Sequence, residues 1–122
     1  MIDVNVRKEL FKEYASCMWM RVTKEGKIVR NFKLDIKHIS IDKDGNVNVG
    51  WYDDIYSETL KTAKVNVVNQ AAYSHDIQGV FTSEDEAKAV AKEWFNEERR
   101  ERIEQLEKEL TELKKEYNAA LT

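Results

Sequence analysis

The sequence predicts an α+β protein: an N-terminal antiparallel β-sheet head over residues 1–82, then one long C-terminal helix over residues 83–122 that pairs with another subunit. Three observations predict it. No Gly or Pro interrupts residues 83–122, which are mostly Ala, Leu, Glu, Lys, Arg and Gln, the strongest helix formers. Within that run Ile103, Leu106, Leu110, Leu113, Tyr117 and Ala120 step by threes and fours, an a/d ladder. Upstream, short apolar runs alternate at period two and are punctuated by Gly26 and by Asp44-Gly45, both hairpin signals.

Each element has a local reason. Val6, Leu10, Phe11 and Tyr14, with charged residues between them, predict a short amphipathic helix over residues 4–13. The alternation of Ile2, Val4 and Val6 leaves an initial strand as the alternative. Tyr14 to Thr23, rich in Cys17, Met18, Trp19, Met20 and Val22, predicts a strand apolar on both faces, hence central or covered by a partner. Lys24-Glu25-Gly26-Lys27 is a turn. In the strand region from Lys27 to Asp42, Phe32, Leu34 and Ile36 alternate, and Ile39 and Ile41 continue on the opposite parity. A bulge or bend is therefore expected near Lys37-His38. Val47, Val49 and Trp51 form the returning strand, in which Gly50 marks a close backbone approach. Asp53 to Lys61 reads as a polar connector, and Val65, Val67 and Val68 as a fourth strand. Asn69 to Asp76 reads as polar again and Ile77 to Phe81 as the last strand, giving a head of four or five strands.

Ser83 and Glu86 form a capping box for the long helix, and Glu84 and Asp85 suit the positive end of its dipole. Ala87, Val90, Ala91, Trp94 and Phe95 make a stripe wide enough to pack on the head. From Ile103 onward the seam narrows to two positions per heptad, which calls for a partner helix, most simply the same helix of a second copy. Self-association is accordingly assigned to residues 96–121, as a dimer or larger assembly. Extending the heptad backwards places Arg99 at d and Asn96 at a, a polar break in the seam.

Composition narrows the function classes. A net charge of −3 disfavours DNA binding, which needs a basic face. Cys17 is alone, so no internal disulfide forms, and it reads as a buried small hydrophobe in a reducing, cytoplasmic compartment. The first residues carry no signal-peptide pattern, and no run approaches the ~18 apolar residues of a membrane span. The motifs of acyl, phosphoryl, zinc and thiol chemistry (GxSxG, GxxxxGK[ST], HExxH, CxxC) are all missing, so no enzyme and no cofactor is expected. With only His38, His75 and Cys17 available, no metal site is expected either; Asp53-Asp54 reads as a solvated strand end rather than as a metal-binding pair.

The candidate ligand-binding set is Phe81, Phe95, Asn96, Arg99, Arg100 and Arg102. Guanidinium forks grip phosphate, and an amide reads a base or ribose edge. The competing reading is a solvated, charge-laced helix, because Glu97, Glu98, Glu101 and Glu104 surround the arginines. Trp19, Trp51, Phe81, Trp94 and Phe95 are enough aromatic surface for a base to stack in a pocket, although buried aromatics are usually core.

The β-rich head of this size, Val80-Phe81-Thr82-Ser83 leading into a helix, and Trp94-Phe95-Asn96 followed by Arg99-Arg100 within a long oligomerising helix give the chain a resemblance to a known family. It resembles the small phage Thoeris anti-defence proteins, sponges for cyclic ADP-ribose-type signals. The resemblance implies a non-enzymatic protein that binds the signal without cleaving it. It also implies an oligomer with pockets between head and helices, working in the cytoplasm of an infected bacterium. The alternative is an interaction protein, such as a phage inhibitor, that docks on a host protein through the acidic helix or a sheet edge.

Overall fold

A computed structural model describes residues 4–73 and 75–120. Ile2 and Leu121, which the sequence reading placed in elements, lie outside the described residues. The order is α1 (Val4–Tyr14), β1 (Met18–Thr23), β2 (Ile28–Lys33), β3 (Ile36–Ile41), β4 (Val47–Trp51), β5 (Lys61–Lys64), β6 (Val67–Tyr73), β7 (Asp76–Phe81) and α2 (Glu84–Ala120). The fold is α+β, with antiparallel strand pairing followed by one long helix, as the sequence predicts. The chain forms two compact units, Met1–Lys92 and Glu93–Thr122, so the division falls inside α2 rather than at its start.

Unit 1 holds two sheets. One has the order β2-β1-β7-β6, the other β3-β4-β5. The first consists of two hairpins, β1–β2 and β6–β7, joined by antiparallel pairing of β1 with β7 from Met18↔Phe81 to Thr23↔Asp76. The second is a meander inserted in the chain between those hairpins. β1 is central, which accounts for its lack of a polar face. Met20 and Val22 lie on one face with Ile77 and Phe81, and all four are fully buried. Trp19 lies on the opposite face with Val80. That second face meets the other sheet in a core of Cys17, Leu34, Ile36, Ile39, Val49, Trp51, Ala63, Val65 and Val80, with Leu10, Phe11 and Tyr14 of α1 packed against it.

The described residues form seven strands where four or five were expected, and the sequence reading is corrected in three places; the first is β5, Lys61–Lys64, which begins at the residue expected to end a connector. Lys27 to Asp42 is not one strand region but two strands in different sheets. The chain turns at Leu34, which is buried and donates its amide to Cys17 O at 3.3 Å. The expected bulge does occur, between Ile36 and His38. Asn69 to Asp76 was expected to be a connector, yet β6 runs through Asn69, Gln70 and Ala71 to Tyr73. β6 is an edge strand with exposed polar side chains, so no apolar alternation announces it.

The turns follow the sequence. Gly26 and Gly45 adopt φ of +83° and +84°. Asp42 organises the second turn by accepting from the amides of Asp44 (2.9 Å) and Asn46 (3.0 Å) and from Asn48 Nδ2 (3.2 Å). Gly50 is a close approach: a Cβ there would sit 3.0 Å from Leu60 Cδ2 and 3.2 Å from His38 Cβ.

The sheets are joined at Asn66, a residue the sequence reading passed over. Asn66 has φ of +61°, the left-handed region that Asn tolerates better than most side chains. Its amide donates to Val80 O at 2.8 Å. Its Oδ1 accepts from Thr82 N at 3.1 Å and Thr82 Oγ1 at 3.3 Å. One residue thus turns the chain from β5 to β6 and fixes the segment that starts α2. Ser83 then caps that helix, accepting from the Glu86 amide at 3.1 Å. In the first turns of α2, Ala87 and Ala91 are buried. No described helix is long and apolar enough to cross a membrane.

Asn66→Ala loses both side-chain acceptor bonds and strains the backbone, so it should cost about 2–3 kcal/mol in denaturant unfolding. Asn66→Gly removes only the bonds and should cost measurably less; equal losses would show that the backbone conformation contributes nothing. Burial pushes the Cys17 thiol up to about 11. The native protein should therefore resist thiol reagents at neutral pH and react promptly once unfolded, and rapid native labelling would contradict this burial. The amide of Asn46 is the main reason that the Asp42 carboxyl lies below its ordinary 3.8; desolvation opposes it, and the Asn48 side chain and the Asp44 amide add smaller lowering bonds. A lowered carboxyl pKa contributes stability that is complete above 3.8 and is lost as pH falls through the lower folded value. The stability gap between the native protein and Asp42→Asn should hold steady near neutrality and narrow only in that acid window.

Candidate functional site

The best-formed candidate site lies in unit 1, at the mouth between its two sheets. Trp19 of β1 and Trp51 of β4 bring their ring centroids to 6.0 Å with planes tilted by 56°. Sheet register explains the placement. Trp19 is opposite Phe32 on β2 and Val80 on β7, and Trp51 is opposite Ile36 and Lys61. The two indoles therefore close one end of the apolar core, and beyond them the facing surfaces turn polar.

A cleft of about 380 Å³ opens there, lined by Trp19, Phe32, Trp51, Asp53, Lys61, Thr62, Asn69, Gln70 and Gln78. Such a volume is in the range of small-molecule sites. Phe32 is 42% exposed, and the Arg30 guanidinium sits 5.4 Å from its ring centre. On another wall Lys61 Nζ pairs with an Asp53 oxygen at 2.5 Å. Gln70 and Gln78 are cross-strand partners on β6 and β7. Primary amides offer both donors and acceptors, so this rim can satisfy a mixed hydrogen-bonding edge. The aromatic surface can take a flat ring. The cation of Lys61 is already balanced by Asp53, which leaves the cleft suited to a neutral heteroaromatic group rather than to a bare anion.

The adjoining loop carries Ile55 and Tyr56 at 89% and 86% exposure. Asp54, placed with Asp53 as a solvated pair by the sequence, accepts the Tyr56 amide at 2.8 Å and shapes that loop. His38 and His75 are exposed. Among the described residues, no group of three or more His, Cys, Asp or Glu side chains is arranged to hold a metal ion.

The structure divides the sequence-derived candidate set. Phe81 is in β7 of unit 1 at 0% exposure, on the buried sheet face with Met20 and Ile77. It offers no surface to a ligand, because the register that puts Trp19 and Gln78 on the cleft side of the sheet turns Phe81 the other way. Phe95, Asn96, Arg99, Arg100 and Arg102 belong to unit 2. Phe95 is 4% exposed, whereas the other four are exposed. Arg99 Nη1 donates to Asn96 Oδ1 at 2.9 Å, one helical turn away. Arg100 is ion-paired with Glu97, a pairing that raises its pKa further. The helix thus holds two neighbouring one-turn pairs, Arg99 with Asn96 and Arg100 with Glu97.

Trp19 and Trp51 were legible as stacking candidates. The polar rim was not. Thr62, Asn69, Gln70 and Gln78 carry no motif, and Asn69 and Gln70 fell in a segment expected to be a connector. The one available signal was the pair of amides immediately after the Val67-Val68 strand. No family model matches the chain, and none of the characterised proteins or solved structures compared with it is significantly similar.

Proposed function

We propose that the protein is a non-catalytic binder of a small molecule with a flat heteroaromatic ring, such as a nucleobase, and that the ring enters the Trp19–Trp51 cleft. The observation that carries this reading is the juxtaposition of two indoles at 6.0 Å with the amides of Asn69, Gln70 and Gln78 on the same cleft. Stacking of a base on an aromatic ring contributes about 1–3 kcal/mol. The amides add orientation, because a buried donor or acceptor left unpaired costs about as much as stacking supplies. The narrower reading is sequestration of a cyclic ADP-ribose-type immune signal in a host bacterial cytoplasm. It rests on the resemblance of the sequence alone, and the cleft would take the base of such a signal.

A second observation favours self-association or docking on a protein. Ile103, Leu106, Leu110, Leu113 and Tyr117 of α2 are between 45% and 68% exposed and form one stripe. A stripe of that kind needs a covering helix, and a second copy of the chain provides an identical one. Docking of the same stripe on a host protein is the competing use.

A thermal-shift screen against nucleobases, nucleosides and cyclic ADP-ribose tests the binding reading. A ligand at a hundredfold excess over its Kd should add about 2.7 kcal/mol of stability. It should also be recovered intact after heat release and should quench tryptophan fluorescence. Gln78→Ala and Asn69→Ala should each weaken binding about tenfold without altering the fold. Arg99→Glu should leave binding unchanged; if it abolishes binding while the Gln78 and Asn69 variants do nothing, the site is on α2 and the cleft is not used. The absence of any stabilising ligand would end the binding reading.

A further inference from the structure

We infer that the C-terminal seam of α2 pairs with a second copy of this chain as a parallel, in-register two-helix coil that begins at Ile103. The inference rests on the self-association reading above and adds its direction and register. The seam from Ile103 to Tyr117 is about 22 Å long at the rise of an α-helix. Its five apolar side chains are exposed within their own unit, so a partner is what would take them out of water.

The flanking charges choose the arrangement. With Ile103, Leu110 and Tyr117 at a, and Leu106 and Leu113 at d, the g positions are Arg102, Glu109 and Glu116, and the e positions include Arg100, Glu107 and Lys114. In a parallel pair each g residue faces the e residue five places later on its partner. Arg102 then faces Glu107, and Glu109 faces Lys114. Both contacts are attractive, each occurs twice by symmetry, and every apolar layer meets its own counterpart.

Antiparallel pairing sets a against d, g against g and e against e. Two such alignments keep most of the seam covered. If Leu110 meets Leu106, Glu107 faces Glu107, Glu109 faces Glu109 and Arg100 faces Lys114, with only Arg102 and Glu116 attracting. If Leu110 meets Leu113, Glu107 meets Lys114 favourably but Glu109 faces Glu116 twice. Only the parallel register keeps all the apolar layers matched without a like-charge contact from Ile103 to Tyr117. It also explains the polar break. The next d position towards the N-terminus is Arg99, which would face itself in a parallel pair, so the coil stops at the layer below.

The test is an engineered disulfide. Leu106→Cys faces itself only in the parallel register, so mild oxidation should convert the chain to a covalent dimer on a non-reducing gel; Cys17 is buried and will not compete. Leu106 is exposed in its own unit, so the substitution spares the fold. A charge exchange gives a second readout. Arg102→Glu alone should weaken the dimer roughly tenfold, since it turns two attractive exposed contacts per dimer into repulsive ones. Adding Glu107→Arg should restore the dimer in the parallel arrangement and in neither antiparallel one. A native mass equal to the monomer at every concentration would remove the self-association reading. A dimer that neither cross-links through Leu106→Cys nor recovers on charge exchange would overturn the parallel register alone.

Discussion

The antiparallel pairing of β1 with β7 is the contact on which unit 1 depends. It joins strands more than fifty residues apart in the chain, so it carries a large loop-closure cost that local hairpins do not. That cost is offset on both faces of the pair. Met20, Val22, Ile77 and Phe81 are buried on one face, and Val80 with half-buried Trp19 on the other. Arg21 Nε reaches the mostly buried Asp76 carboxylate at 2.6 Å across the same seam. Because Asp76 is buried, its pairing matters more than that of an ion pair in open solvent, where the median contribution is close to zero. The intervening meander is held against this pair by Asn66, whose amide and side chain bind both sides of the junction.

The cleft is a consequence of that geometry. Two sheets stacked through an apolar core must stop being apolar somewhere, and here the change occurs just past Trp19 and Trp51. Large aromatic rings finish the core while leaving part of their surface available. β6 and β7 supply neutral amides at the boundary instead of charges. A neutral, hydrogen-bonding rim beside ring surface favours a flat polar ligand over an inorganic anion. The arginine group on α2 has the opposite character. It is charged, exposed and internally paired through Asn96 and Glu97, which lowers the number of donors it has ready for a ligand.

α2 serves two different environments along one uninterrupted helix. Its first turns are tied to unit 1 through the Ser83 cap, the bond between Asn31 and Glu84 at 3.4 Å, and the buried Ala87 and Ala91. Its later turns expose a narrow apolar seam. Small residues suit the first environment because they allow close packing, and Leu and Ile at a and d suit the second. The polar layer of Asn96 and Arg99 separates the two environments and keeps the apolar stripe from being continuous.

The sequence alone determined the features that rest on neighbours in the chain. The capped helix, the glycine turns at Gly26 and Gly45, the bulge after Ile36, the approach at Gly50 and the heptad seam all depend on spacings of a few residues, where propensity and periodicity act. The charges that flank the seam are placed by spacings of the same kind. Only the tertiary structure decided what depends on pairing across long distances. It split Lys27 to Asp42 between two sheets, made Asn69 to Tyr73 an edge strand, and turned Phe81 into the core while leaving Trp19 at a cleft. The physical reason is that a strand's two faces are equivalent in the sequence until register and sheet stacking make one of them an interior. For Phe81 and Trp19, on paired strands of one sheet, that choice separated core from candidate site.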